Sequence, residues 1–241
     1  MNRTLIFAHR GANREATENT REAFDKALIH PIDGIETDIQ LSRDEIAVLW
    51  HDDDLGKLGM PTKRMDDFDH VQLDARLGVM TLADFVAAYG SRCHLLLEIK
   101  KYPGELDARQ RIKVSRTLKL ADVAEKDRIL VSSFDLDSLV HAHSLDPRRA
   151  LVLNLDVEHD ADFARRVLSA NPFLLGVCVH VSTLNQGMSD AAREGGKFLG
   201  VYTCNSDEEI HRALTFSTDV LITDLPQKAL RLRDGWDGGD E

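Results

Sequence analysis

The 241-residue sequence predicts an α/β fold, a single closed (β/α)8 barrel with a short hairpin and loop excursion after the second strand. Three observations carry that prediction. Eight short, continuously apolar runs recur along the chain, as parallel strands buried on both faces do. An amphipathic helical stretch follows each run. The length also matches the roughly 250 residues usual for such a barrel, and eight strand–helix units suit closure better than an open sheet.

In order, the first strand is read at 5–8 (LIFA) and the first helix at 20–29. The second strand covers 34–40 (GIETDIQ). Another strand-like run, 46–50 (IAVLW), follows after a gap too short for a helical crossover, so it reads as a hairpin made through SRDE at 42–45. Segment 51–80 carries Gly56, Gly59, Pro61 and Gly78 and reads as a loop or small excursion over the barrel mouth. A helix at 81–89 leads to the third strand, 95–99 (LLLEI). The remaining strands fall at 128–133, 149–154, 174–179, 198–203 and 219–223. The remaining helices fall at 107–119, 135–145, 160–169, 186–195, 206–214 and 225–232. No linker divides the chain. The barrel domain is expected to span 1–233, with an acidic, Gly-rich tail at 234–241 expected to be disordered.

Composition narrows the class of function. Apolar content of 43% is ordinary for a globular core. A net charge of −11 argues against general nucleic-acid binding and against electrostatic docking on anionic membrane. It does not exclude a small anionic substrate, because a local group of Arg, Lys and metal can reverse the field in one cleft. Cys93, Cys178 and Cys204 are far apart and form no CxxC pair, which excludes a disulfide framework or zinc site as the reading and points to a reducing cytoplasm. The N-terminal apolar run is shorter than the roughly 7–15 residues of a secretory h-region. No run approaches the roughly 20 apolar residues of a membrane span. Homo-oligomerisation is left open.

The polar residues with chemical potential gather at strand C-terminal ends, where barrel enzymes place their sites. His9 and Arg10 end strand one, Glu36 and Asp38 lie in strand two, and Glu98 and Lys100 end strand three. Tyr202 ends the seventh barrel strand, and Asp224 follows the eighth. Glu36 and Asp38 are two apart, so they share a strand face. Side by side they repel, and one must take a proton or recruit a cation. The alternative is a strand-end pair salt-bridged to Lys or Arg. With Glu98 as a third oxygen donor and no thiolate, the set indicates a hard divalent ion, Mg2+ or Ca2+.

His9 and His51 form the candidate acid–base pair, since imidazole titrates near neutrality and phosphodiester cleavage needs one proton removed and one supplied. Arg10 suits bidentate phosphate contact. Lys100 shares a face with Glu98 and acts either on the same phosphate or as a counter-ion to the carboxylates. Asp52, Asp53 and Asp54 read as an acidic solvated loop, with an added metal contact as the alternative. His180 ends strand six, with a pocket-lining and a structural role both open. No Gly-rich phosphate loop is present.

These motifs, in this order, resemble the glycerophosphodiester phosphodiesterase family. The chain reads HRGANREATENT at 9–20, IETD at 35–38, VLWHD at 48–52, MTL at 80–82 and LEIK at 97–100. Later landmarks are VSSFD at 131–135, VYTCN at 201–205 and LITDLP at 221–226. The resemblance spans nearly the whole chain. It implies a barrel of the phospholipase C-like phosphodiesterase type and a metal-dependent hydrolase of glycerophosphodiesters, acting in phospholipid and glycerol metabolism. It implies His9 and His51 as catalytic acid and base, Glu36, Asp38 and Glu98 as metal ligands, and Arg10 and Lys100 on the phosphate. Tyr202, standing where the family usually has Trp near the pocket wall, is placed with the substrate-binding residues. The neighbouring glycerol hydroxyl would attack first, giving a cyclic phosphate that water opens. Products would be glycerol 3-phosphate and an alcohol such as choline or ethanolamine. Other departures are Thr17 for Pro, Glu45 for Gly at the hairpin and Met80 for Pro. Two rival readings are a lysophospholipase D or sphingomyelinase D-like enzyme and a non-catalytic phosphodiester-binding barrel. The first expects an apolar, membrane-facing loop; the second expects a missing His or metal carboxylate.

Overall fold

The structure, a computed structural model, describes residues 3–123 and 128–236. Eight parallel strands close into a barrel: β1 (Leu5–His9), β2 (Gly34–Leu41), β4 (His94–Ile99), β5 (Ile129–Ser133), β6 (Ala150–Leu155), β7 (Gly176–His180), β8 (Phe198–Tyr202) and β9 (Val220–Thr223). Pairing of β1 with both β2 and β9 closes the ring. The strand β3 (Ala47–Leu49) adds antiparallel to β2, as the expected hairpin.

Helices cover the outside: α1 (Arg21–Ala27), α3 (Leu82–Tyr89), α4 (Asp107–Ala121), α5 (Leu136–Leu145), α6 (Ala161–Ala170), α7 (Gln186–Glu194), α8 (Asp207–Thr215) and α9 (Pro226–Asp234). Their starts are written in the sequence. Thr20, Thr81, Asp135, Asp160, Asn185 and Ser206 each accept a first-turn backbone N–H at a helix start. Pro226 occupies the first turn of α9, where its missing N–H costs nothing. No described helix is long and apolar enough to cross a membrane.

The barrel interior changes character along its axis. Its lower part is apolar, with Phe7, Leu96, Val152, Cys178, Val220 and Ile222 packed together. Gly34 is required there, because a Cβ at that position would lie 2.6 Å from the Phe7 ring. One pleat further up, the same strand faces turn polar. In β2 and β4 the registers Glu36–Leu96 and Asp38–Glu98 bring three carboxylates to the C-terminal end. All eight residues of β2 are buried, its apolar odd-numbered members Ile35, Ile39 and Leu41 packing in the outer core against the helices and Thr37 bonding Asn19. Two carboxylates on a strand with no solvent-facing side are costly unless compensated.

Segment 51–80 is an excursion, as expected, but it is not plain loop. It contains a helix, α2 (His70–Leu77), and its own small core of Val48, Leu55, Met65, Leu73 and Val79. The helix escapes periodicity because it is only about two turns long: buried Leu73 and partly buried Leu77 make a single i, i+4 pair, too short a stripe to repeat. Gly78, read as a loop residue, is the left-handed cap ending α2, at φ 64°. At the C-terminus α9 runs to Asp234, which pairs with Arg3 at 2.7 Å, and Trp236 packs beside His211 with ring centroids 5.4 Å apart. Residues 234–236 of the expected tail are thus held by these contacts, and 237–241 lie outside the described residues.

The β2–β3 turn holds Glu45 at φ 60°, a conformation that suits glycine. Its contact with Arg116 is long, 3.9 Å, and exposed. A left-handed non-Gly residue costs roughly 1–2 kcal/mol, partly offset by the greater unfolded-state freedom of Gly. Glu45→Gly is expected to raise stability by about 0.5–1 kcal/mol. Urea unfolding followed by circular dichroism checks this, and an unchanged or lower midpoint contradicts it.

Candidate active site

The turn after β1 builds one wall of the site. Arg10 adopts φ 57° and Gly11 φ 83°, so the chain reverses at once after His9. Gly11 is obligatory, since a Cβ there would lie 2.7 Å from the Ala23 main chain. The reversal lets the Arg10 N–H donate to the Glu36 carbonyl at 2.9 Å and to Glu36 Oε2 at 3.2 Å. The Arg10 side chain returns over the mouth, with Nε 3.1 Å from Asp38 Oδ2 and NH1 3.2 Å from Glu18 Oε2.

Seven of the eight residues singled out in the sequence, His9, Arg10, Glu36, His51, Glu98, Lys100 and Tyr202, line one cavity of about 220 Å3. Asp38 lies directly behind it, buried, accepting from Asn19 Nδ2 at 2.9 Å. Oxygens of Glu36, Asp38 and Glu98 lie within 4.8 Å of one another. Lys100 Nζ stands 2.7 Å from Glu98 Oε1 and 3.7 Å from Asp38 Oδ1. Glu98 also accepts from Asn154 Nδ2 at 3.1 Å.

Both imidazoles are held by carboxylates. His9 Nδ1 is 2.7 Å from Asp224 Oδ1, and His51 Nδ1 is 2.7 Å from Asp52 Oδ1. An ionised carboxylate only accepts, so each Nδ1 carries the proton and Nε2 is the ring nitrogen left for other partners. His9 Nε2 lies 3.9 Å from Glu36 Oε2. Tyr202 packs its ring nearly perpendicular to Phe134 and His180, while its hydroxyl donates to the Leu155 carbonyl at 2.8 Å.

A family model described as the glycerophosphoryl diester phosphodiesterase family matches residues 9–228. The chain belongs to this family. A Bacillus altitudinis protein named glycerophosphodiester phosphodiesterase is 30% identical over 253 residues, covering 96% of this chain and 98% of its own. A solved Oleispira antarctica phosphodiesterase, in complex with the product sn-glycerol-3-phosphate, has a TM-score of 0.82 at 24% identity over 97% of this chain and 98% of that one. A Thermotoga maritima glycerophosphodiester phosphodiesterase has a TM-score of 0.82 at 22% identity over 96% and 99%. The closed barrel is the fold these structures share.

In this phosphodiesterase-family chain the electrostatics of the site are out of balance. Burial pushes the Glu36 carboxyl well above its usual range, and the Asp38 and Glu98 charges beside it push the same way. Arg10 and Lys100 pull it down without prevailing. Burial also disfavours the Asp38 carboxylate, but Arg10, Lys100 and His51 outweigh it and hold the group at about 2. Two cations therefore face three carboxylates, and Glu36 is the one left short of a counter-charge. Hard oxygen donors this close suit Mg2+ or Ca2+. Cys178 lines the same cavity, but burial and the Glu98 and Glu36 charges push its thiol far up, so it offers no thiolate. The residues present fit a hard divalent cation held by Glu36, Asp38 and Glu98.

Several site residues were not legible in the sequence. Asp52 is not a solvated loop acid: it binds His51, and its second oxygen is 2.9 Å from Lys57 Nζ. Asp224 was visible only as a residue after the last strand, yet it holds His9 and accepts from Asn13 Nδ2 at 2.7 Å and Asn205 Nδ2 at 2.8 Å. Asn19 stood in the sequence only as part of the HRGANREATENT motif with no role attached to it, and Asn154 gave no signal, because a lone Asn in a strand has no spacing to read. Of the two roles open for His180, the structure places it in the cavity wall, with Nδ1 2.7 Å from Ser182 Oγ.

Burial alone would raise the Asp224 carboxyl, but hydrogen bonds from His9, Asn13 and Asn205 overcome it and hold the group well below the usual carboxylate range. A depressed folded-state value stabilises the fold above the unfolded value near 3.9, and that stability is lost as pH falls through the folded one. Asp224→Asn is therefore expected to cost about 1–3 kcal/mol at pH 7. The difference from the natural chain should shrink between about pH 4 and pH 2. Urea midpoints across that range check it; a gap that stays constant with pH contradicts it.

Proposed function

We propose that the protein is a metal-dependent glycerophosphodiester phosphodiesterase that works by histidine acid–base catalysis and releases glycerol 3-phosphate and an alcohol. The observation that carries this reading is the pair of carboxylate-held imidazoles, His9–Asp224 and His51–Asp52, on one cavity that also holds three crowded carboxylates. The product sn-glycerol-3-phosphate held by the Oleispira antarctica relative is the product this reading gives.

In the reaction, Arg10 and Lys100 take the phosphate oxygens, shifting part of their charge from the carboxylates they now touch. One imidazole accepts at Nε2 the proton of the glycerol hydroxyl next to the phosphate. That oxygen attacks phosphorus and the ester bond to the leaving alcohol breaks. The other imidazole delivers its Nε2 proton to the departing oxygen. The cyclic phosphate then opens by the reverse use of the pair, with water in place of the alcohol. Asp224 and Asp52 keep each Nδ1 protonated and stabilise the imidazolium form, so both rings stay aimed through Nε2. A divalent cation on Glu36, Asp38 and Glu98 would supply Lewis-acid stabilisation of the phosphoryl charge.

Two outcomes test the chemistry. Hydrolysis of glycerophosphocholine should stop with EDTA and return with Mg2+ or Ca2+, and each cation should raise the melting temperature of the natural chain but not of Glu36→Gln. His9→Ala and His51→Ala should each lower kcat by about 10^2–10^4-fold with the fold intact. Activity indifferent to chelator removes the metal assignment, and near-normal turnover in either variant removes the acid–base pair.

A groove of about 710 Å3 opens from the same site past His51, Lys100, Phe134 and Tyr202 and carries Asp53, Asp156 and an Asp135 that pairs with Lys101 at 3.3 Å. It offers the leaving alcohol an acidic, aromatic exit, which suits a cationic headgroup such as choline or ethanolamine. Asp156→Asn should raise KM for glycerophosphocholine several-fold and leave KM for glycerophosphoglycerol unchanged. Equal effects on both substrates contradict this placement of the headgroup.

A further inference from the structure

Strand β4 delivers Glu98 and Lys100 to the site and ends at Ile99, where the chain leaves the sheet. The Lys100 N–H still donates to the Ile39 carbonyl at 3.1 Å. Its own carbonyl leaves the ladder and is met by side chains instead. Lys113 Nζ donates to it at 2.7 Å and Gln110 Nε2 at 3.2 Å, from one face of α4. One residue earlier, the Ile99 carbonyl accepts from Ser133 Oγ at 2.7 Å. The main chain beneath the site is thus pinned by donors reaching from α4 and β5.

The strongest of these donors is an unusual residue. Lys113 and its partner Glu105 both have fully buried side chains, with Nζ 2.8 Å from Glu105 Oε2. The ammonium also sits 5.4 Å from the centre of the Tyr102 ring. Tyr102 in turn donates to Asp66 Oδ2 at 2.8 Å, which ties this loop to the 51–80 excursion. Stability does not account for a buried lysine here. Taking an ion pair out of water costs as much as the pair regains, and apolar replacements of both partners are often neutral or stabilising. What an apolar pair cannot supply is a fixed donor to the Lys100 carbonyl.

We propose that Lys113, kept in place by Glu105, is a positioning residue: it fixes the main chain at Lys100 so that the Lys100 ammonium stays between Glu98 and Asp38. The proposal rests on the reading of Lys100 as a phosphate-facing cation. It separates stability from activity in a way a structural ion pair would not. A displacement of about 1 Å at a reacting group can cost on the order of 10^2-fold in rate.

Three variants of the full chain, assayed on glycerophosphocholine with thermal melting in parallel, test it. Lys113→Met/Glu105→Leu removes both charges; its melting temperature should stay near that of the natural chain while kcat/KM falls by about 10–100-fold, chiefly in kcat. Glu105→Gln keeps the lysine donor but lacks its counter-charge; it should melt lower yet keep kcat/KM within about threefold well below its melting point. Lys100→Met is the reference and should lose at least as much activity as the double variant. Activity that tracks melting temperature across the set, or a double variant within threefold of the natural chain while Lys100→Met is impaired, overturns the proposal. Near-normal activity in Lys100→Met overturns the underlying reading of Lys100 and the proposal with it. If the double variant does not fold, Lys113→Gln/Glu105→Gln keeps the pair polar, removes the ammonium donor and questions the same carbonyl. A fall of threefold or more at an unchanged melting temperature supports the proposal, and unchanged kcat/KM overturns it.

Discussion

Glu36, Asp38 and Glu98 are buried with oxygens inside 4.8 Å of one another, against the two cations Arg10 and Lys100. Charges in such a place are costly unless compensated, and the compensation in hand is one unit short. Much of the upper barrel can be understood as a response to that constraint. Arg10 is bent back by a left-handed turn to reach Asp38, Asn19 donates to the same carboxylate, and Asn154 donates to Glu98. The uncompensated remainder sits on Glu36, whose carboxyl is pushed up by burial and by its neighbours. A proton on Glu36 answers that remainder, and so does a divalent cation in the reading proposed above.

The same constraint shapes the periphery. Glu18 links Arg10 to Lys57, and Lys57 also reaches Asp52, which holds His51. The excursion is therefore more than a cover. Through Lys57 it meets the histidine side of the mouth, and through Asp66 and Tyr102 it meets the loop after β4. Both faces of the cavity are fixed to a segment that lies outside the (β/α)8 repeat.

The eight barrel strands were legible because each is a continuous apolar run, and the hairpin because its gap is too short for a crossover. Helices were read to begin at 20, 81 and 135, where the structure has Thr20, Thr81 and Asp135 capping α1, α3 and α5. Helix α2 was not legible, since it is only about two turns long and Leu73 with Leu77 makes a single i, i+4 pair, too short a stripe to repeat. Residues that bear on the site through unusual composition, such as His9, Glu36, Asp38 and Glu98, stood out because polar groups in apolar runs break the expected pattern.

By itself the sequence determined the period of the fold and the polar breaks at the strand ends, because both are local patterns of residue type. The tertiary structure alone decided the partners. Asp224 lies 215 positions from His9 in sequence, yet barrel closure between β1 and β9 sets their side chains 2.7 Å apart. Lys113 has no local mark of its role, because the carbonyl it serves becomes its neighbour only when α4 folds back against β4. Periodicity reports which way a side chain faces, and ring closure with strand register reports what it meets there.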